Sequence, residues 1–228
     1  MMTTTQKITE EEILDAYFED DIEFFKTHQI SGDYRIADPD FNGDTLFLAS
    51  LSDPKCELYA YFLEQGVDLF ATNSLKENVF HAAVFSDDPQ RLKKILKSNP
   101  KCIKMLNDQE KEGDTPLHFS VMFKSRSYFD LLIELGADVN ITHIKGYTPL
   151  STACCIPFER EEDNLHIVKT LIKHGANPSL KTNAGIYPLA AAINNDLHSV
   201  AQLLWEYQYG KKSPFNISKS PPPKNPNA

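Results

Sequence analysis

Five side chains able to ligate a metal or do nucleophilic chemistry fall between residues 143 and 174: His143, Cys154, Cys155, His166 and His174. They invite two readings, a zinc site and a Cys–His pair. Their spacing argues against both. Cys154 and Cys155 are adjacent, so on a helix they point about 100° apart, and no CxxC or His-x3-His spacing frames them. Nothing beside them signals a depressed thiol pKa. Glu161, Glu162 and Asp163 are neighbours in sequence and read as a solvated loop. There is no GxGxxG, P-loop, HExxH or GxSxG. The expectation is no catalytic residue, no metal and no cofactor. A small enzyme or zinc protein built on the His/Cys cluster is the alternative.

Composition narrows the partner classes. The 228 residues are 41% hydrophobic and 24% charged, ordinary for a folded chain. No run approaches 18 apolar residues. The start, MMTTTQKITEEE, lacks the apolar stretch of a secretory signal. The formal net charge of −9 argues against nonspecific binding to nucleic acid or an anionic membrane. Lys93, Lys94, Lys97, Lys101 and Lys104 form a basic patch, read as a solvated helix face. The acid is concentrated early: residues 1–70 carry 16 acidic and 4 basic side chains. That end is either a solvated surface or a docking surface for a basic partner. Four cysteines without framework spacing suggest reduced thiols in a cytosolic compartment.

The elements that would position these residues repeat. Gly113-Asp114-Thr115-Pro116-Leu117-His118 returns 33 residues later as Gly146-Tyr147-Thr148-Pro149-Leu150-Ser151, then as Gly185-Ile186-Tyr187-Pro188-Leu189-Ala190. Gly43-Asp44-Thr45-Leu46-Phe47 and Asn78-Val79-Phe80-His81-Ala82-Ala83 fit the same frame. Leu135-Gly136-Ala137-Asp138 matches His174-Gly175-Ala176-Asn177 and Gln65-Gly66-Val67-Asp68. Thr115 sits where a helix N-cap belongs, and Pro116 takes the first helical position, where its missing N–H costs nothing. Gly136 and Gly175 suit left-handed helix ends. Ala82, Ala83, Ala191 and Ala192 are small where paired helices approach.

These phased motifs resemble the ankyrin repeat over residues 11–209. The resemblance implies an all-α ankyrin-repeat solenoid of about six helix-turn-helix units with β-turn fingers. The units run about 11–38, 40–72, 73–109, 110–142, 143–181 and 182–209, after a flexible N-terminus (1–10) and before a disordered, basic, Pro-rich tail (210–228). The tail carries a minimal PxxP and, in a bacterial source, would suit an export signal. The first unit reads as two short helices around Glu19-Asp20-Asp21, an acidic capping repeat. Trp205 is expected to close the far end of the core. In the family pattern a histidine at the His118 position bonds back to the Thr region and bridges units, a role that transfers to His118 and His81 alone. His143 then stands at the usual Asp position of a finger. Unit three runs about four residues beyond the period around 97–103. Extra residues around 156–164 imply a longer loop between the paired helices of unit five, with Pro157 ending a helix.

The resemblance also implies noncatalytic protein–protein interaction: an adaptor, inhibitor or recruiter. Its contact positions on the concave face fall on Leu75, Phe85, Met122, Phe123, Ile144, Lys145, Tyr147, Cys155, Ile156 and Ile186. Most are apolar where the family expects polar residues, so a groove for an apolar helix or extended peptide is expected. Asn140, with Leu132 eight residues before it, resembles the asparagines hydroxylated in ankyrin repeats by a eukaryotic dioxygenase. A cytoplasmic monomer bound to a protein partner, with no nucleic acid and no membrane, is the expectation. Lys outnumbers Arg 19 to 4. That bias and the architecture resemble ankyrin effectors of intracellular bacteria, which implies a host partner and translocation into the host cell.

Overall fold

The structure, a computed structural model, describes residues 8–158 and 161–210. The expected flexible start up to residue 7, the basic tail from residue 211, and residues 159–160 of the second insertion lie outside the described residues. The described residues form twelve α-helices and two 3-10 helices, with one isolated antiparallel bridge between Arg35 and Thr45. The helices run from 7 to 13 residues. Helices that short are marginal alone in water, so packing must hold them.

The chain divides into two compact units, one ending at Met105 and one starting at Leu106. The first contains α1 (Glu10–Phe18), α2 (Ile22–His28), a 3-10 turn (Pro39–Phe41), α3 (Leu46–Ser52), α4 (Leu58–Gln65), α5 (Val79–Phe85), α6 (Pro89–Ser98) and a second 3-10 helix (Pro100–Met105). Helix α3 packs on both α4 and α5, and α5 on α6. Aromatic rings fill this unit's core: Phe25, Phe47, Phe62 and Phe80 are buried, and the rings of Phe25 on α2 and Phe62 on α4 meet edge-on at 5.2 Å. Full burial stabilises each such side chain by roughly 1.5–3 kcal/mol. Gly32 lies against this cluster, where a Cβ would stand 2.7 Å from Phe62 and Val67. The early acidic motif is used locally. Asp20, with φ 55°, turns the chain between α1 and α2. Its carboxylate accepts the Glu57 and Leu58 amides at 3.0 Å. It thereby caps α4, whose N-cap residue Glu57 supplies no side-chain cap of its own. Cys56 donates to the same carboxylate at 3.2 Å, and burial plus that bond push its thiol up to about 12.

The second unit contains α7 (Pro116–Met122), α8 (Arg126–Glu134), α9 (Pro149–Cys155), α10 (Glu161–Lys173), α11 (Pro188–Asn194) and α12 (His198–Tyr209). Helix α7 packs on α8 and α9, α9 on α10 and α11, and α11 on α12. Leu117, Val121, Phe129, Leu132, Leu150, Leu171 and Leu204 fill the space between them. Ala191 and Ala192 are buried on the α11 face, as their size implies. The start signals act as the sequence indicates: Thr115 and Thr148 each complete a capping box, with proline at the first helical turn. Tyr187 stands at the same position of α11 and makes no side-chain cap. Trp205 is half-buried and its ring meets Tyr209 at 4.5 Å. Gly136 and Gly175 take φ 87° and 88° at helix ends.

Candidate partner-binding site

Four β-turn fingers share one geometry. In each, the first amide bonds the carbonyl four residues on, and the fourth bonds back to the first carbonyl. Glu110 N–H reaches Asp114 O at 3.0 Å, His143 reaches Tyr147 at 3.0 Å, and Thr182 reaches Ile186 at 3.0 Å; Asn73 to Glu77 does the same in the first unit at 3.1 Å. The fourth position is left-handed throughout, filled by Gly113, Gly146 and Gly185 but by Lys76 (φ 67°) in the first unit. In the second unit adjacent fingers are laced together. Ile144 N–H donates to Glu112 O at 2.9 Å, and Asn183 N–H to Lys145 O at 2.9 Å. The approach is close: a Cβ on Gly146 would stand 2.6 Å from Asn183 Oδ1.

Beneath the fingers, His118 ties two repeats of that unit. It is fully buried. Its Nδ1 faces Thr115 N at 3.2 Å and Oγ1 at 2.9 Å, and its Nε2 faces Tyr147 O at 3.1 Å. An acceptor at Nδ1 assigns the proton to Nε2. His81 repeats the local half of the arrangement with Asn78, at 3.3 Å to the amide and 3.0 Å to Oδ1.

These constraints open a cleft of about 370 Å³ between the fingers and the ends of α7 and α9. It brings together Met122, Ile144, Lys145, Tyr147, Cys155 and Ile156 from the sequence-derived set. Ile144 is 57% exposed and Met122 36%. Phe123 is 49% exposed and sits beside the cleft as the C-cap of α7, its ring edge-on to Phe119 at 5.6 Å. Ile156 likewise caps α9. The apolar residues therefore cluster at the ends of the inner helices. Ile186 is half-buried on the next finger, beside Tyr187 at 46% exposure. Leu75 and Phe85 belong to the first compact unit. The site also holds Glu112, Asp114, His143 and Thr152, which the apolar pattern did not select.

The rim is electrostatically tuned. Burial, then the Glu110 and Glu112 carboxylates, push Asp114 up to about 6, with Lys145 acting the other way. Asp44, at the equivalent finger position of the first unit, is raised to about 6 by burial, helped by Glu77 and opposed by its bond to Asn73 and by Arg35. A carboxyl held above its unfolded value binds its proton more tightly in the native state. Ionisation above pH 6 then costs stability, and that cost disappears below the unfolded pKa. Asp114→Asn is expected to raise the urea midpoint at pH 7.5, with the gap closing by about pH 4. A gap of constant size across that range would show that Asp114 ionisation carries no such cost.

The His/Cys cluster is dispersed by the same fold. Cys154 is fully buried, and that burial pushes its thiol far above the ordinary range. Cys155 is half-buried at the cleft, and burial raises its thiol too. His166 Nε2 pairs with Asp130 at 2.7 Å. His143 stacks on Tyr147 at 5.0 Å, and burial, with Lys145 adding to it, lowers its pKa. Among the described residues no three His, Cys, Asp or Glu side chains are placed to hold a metal ion. The second insertion is anchored by a residue that sequence reasoning passed over. Asn164, fully buried on α10, donates to Ala153 O at 3.0 Å and Ile156 O at 2.9 Å and accepts the Phe158 amide. Asn140 uses its whole side chain as a staple, donating to Gly175 O at 3.0 Å and accepting the Asn177 amide at 2.8 Å. A modifying enzyme would have to open that turn to reach it.

Stacked helix pairs, laced fingers and a shallow apolar cleft define a helical-repeat protein of the interaction type. The family described as Ankyrin repeats (3 copies) matches residues 46–143 and 80–181, and the chain belongs to the ankyrin repeat family. Such repeats generally serve as protein–protein interaction modules. An ankyrin repeat protein of fowlpox virus is 25% identical over 167 residues, 71% of this chain and 47% of its own. A Saccharomyces cerevisiae protein named "Probable 26S proteasome regulatory subunit p28" is 28% identical over 131 residues, 55% of this chain and 54% of its own. An ankyrin repeat protein of Rickettsia bellii is 29% identical over 99 residues, 43% of this chain and 28% of its own. The chain thus spans about half the length of the first two. Among the described residues no helix is long and apolar enough to cross a membrane.

Proposed function

We propose that the chain is a noncatalytic adaptor, inhibitor or recruiter that captures a protein partner on the finger and inner-helix face of its second unit. The observation that carries this reading is the cleft itself: Met122, Ile144, Tyr147, Cys155 and Ile156 gather apolar surface in one concavity, with Phe123 beside it. Exposed apolar surface of this kind marks interaction sites, and Met and aromatics supply adaptable contact area. The proteasomal name of the yeast relative supports an adaptor role. An effector acting on host proteins in the cytoplasm is the finer reading, and ankyrin repeat proteins of Rickettsia bellii and fowlpox virus are among the relatives.

The test is affinity capture from a eukaryotic lysate with wild type, Phe123→Asp/Ile144→Asp, and Lys169→Glu on the outer helix as control. Tyr147 is left intact because its ring stacks on His143 and its carbonyl anchors the finger. A partner held by wild type and the control, and depleted about tenfold by the double variant, is the expected result. Identical capture by all three, with unchanged melting temperatures, refutes binding at this cleft.

A further inference from the structure

We infer that the outward face of α1 is a second docking surface, fitted to a basic segment that carries an apolar side chain. The helix is built with two faces. Ile13, Ala16 and Tyr17 are buried. Glu11, Leu14, Asp15 and Phe18 recur at i, i+3, i+4 and i+7, the spacing of one helical stripe. Phe18 is 70% exposed, more than any other large apolar side chain among the described residues. It is held in place all the same: its ring meets Tyr17 at 5.3 Å and Phe41 at 6.1 Å.

The 3-10 turn Pro39–Phe41 forms the other wall. Glu10 accepts the Ala37 and Asp38 amides at 2.6 and 3.1 Å, which fixes that wall against α1. Between them lies a groove of about 530 Å³ whose apolar lining is Leu14, Phe18 and Pro39. Among the described residues its ionisable lining consists of Glu10, Glu11, Asp15 and Asp38, all carboxylates. A capping face needs polar residues to meet water, and an aromatic ring standing in it serves no such purpose. The acidic rim repels acidic or nucleic-acid partners and draws in lysine and arginine. The occupant that satisfies both features places an aliphatic or aromatic side chain on Phe18 and Leu14, with cations beside it over Glu11 and Asp15. This surface is separate from the cleft of the second unit and stands whether or not that cleft binds.

The experiment selects a phage-displayed random dodecapeptide library on the immobilised full chain at low salt. Enriched peptides are expected to carry Lys or Arg flanking an apolar residue. As synthetic peptides they should lose affinity about tenfold against Phe18→Ser and against Glu11→Gln/Asp15→Asn, and weaken as salt screens the rim. Phe18→Leu should retain most of the binding. All variants lie on exposed positions, and unchanged thermal midpoints will show that the fold is kept. Neutral or acidic winners, or no enrichment, overturn the inference. Winners that ignore Phe18→Ser but fail on Phe123→Asp/Ile144→Asp also overturn it, while supporting the cleft of the second unit.

Discussion

Arg91→Met is expected to cost about 3–5 kcal/mol of stability. Arg91 is 2% exposed on α6. Its guanidinium donates to five carbonyls: Ser50 (2.9 Å), Leu51 (3.4 Å), Asp53 (2.6 Å), Pro54 (3.0 Å) and Cys56 (3.1 Å). Those carbonyls close the C-terminal end of α3 and the loop that follows, where the helix dipole is negative. The plane also covers Tyr59 at 4.2 Å. The nearest carboxylate, Asp88, is 3.9 Å away and 45% exposed. Carbonyl dipoles therefore stabilise the buried cation more than an ion pair does. Methionine fills the volume and leaves the Ser50 and Cys56 carbonyls unsatisfied in the interior. Arg91→Lys should fail nearly as badly, because one ammonium cannot span a fan of five acceptors. Urea unfolding followed by far-UV circular dichroism measures both. A loss under about 1 kcal/mol for either would mean that water replaces the guanidinium without penalty.

That residue also shows what a sequence reading passes over. The stretch Asp88-Pro89-Gln90-Arg91-Leu92-Lys93-Lys94 reads as a lysine-rich outer helix, and the lysines at 93, 94, 97, 101 and 104 are indeed exposed. Arg91 lies four residues before buried Ile95, on the inward face, so its burial could have been read from helical spacing. Its five acceptors could not, because they come from 35 to 41 residues earlier. The Asp20 cap on α4 has the same character, joining residues 37 apart. The repeat frame, by contrast, was legible because each Thr-Pro start and each Gly end acts within one turn. The cleft was half legible. Phase placed Met122, Ile144, Tyr147, Cys155 and Ile156 on one face, and the structure gathers them in one cleft. Nothing in the sequence marked Asn164 as the clamp on the insertion or Asp114 as a buried acid, since both depend on neighbours brought in by folding.

His118→Leu should cost about 2–4 kcal/mol and loosen the finger above it. The leucine keeps the volume and removes both ring nitrogens. Thr115 N–H then loses its acceptor in a buried site, and the capping box of α7 is broken. On the other side Tyr147 O loses the Nε2 donor and keeps only the His143 amide. Tyr147 is the last residue of the finger, so the effect passes directly to Ile144 and Lys145 at its tip. Hydrogen exchange should show faster opening of the Ile144 and Gly146 amides, which bond Glu112 O and His143 O. Partner capture by the cleft should weaken along with that protection, although residue 118 is buried and touches no ligand. A contrasting variant separates the two halves of the role. Thr115→Val removes the hydroxyl and leaves the Nε2–Tyr147 bond in place, so it should destabilise α7 while sparing the finger amides. Equal loss of finger protection in both variants would show that the histidine acts through the start of α7 alone, and that the bond across to the next repeat contributes nothing of its own.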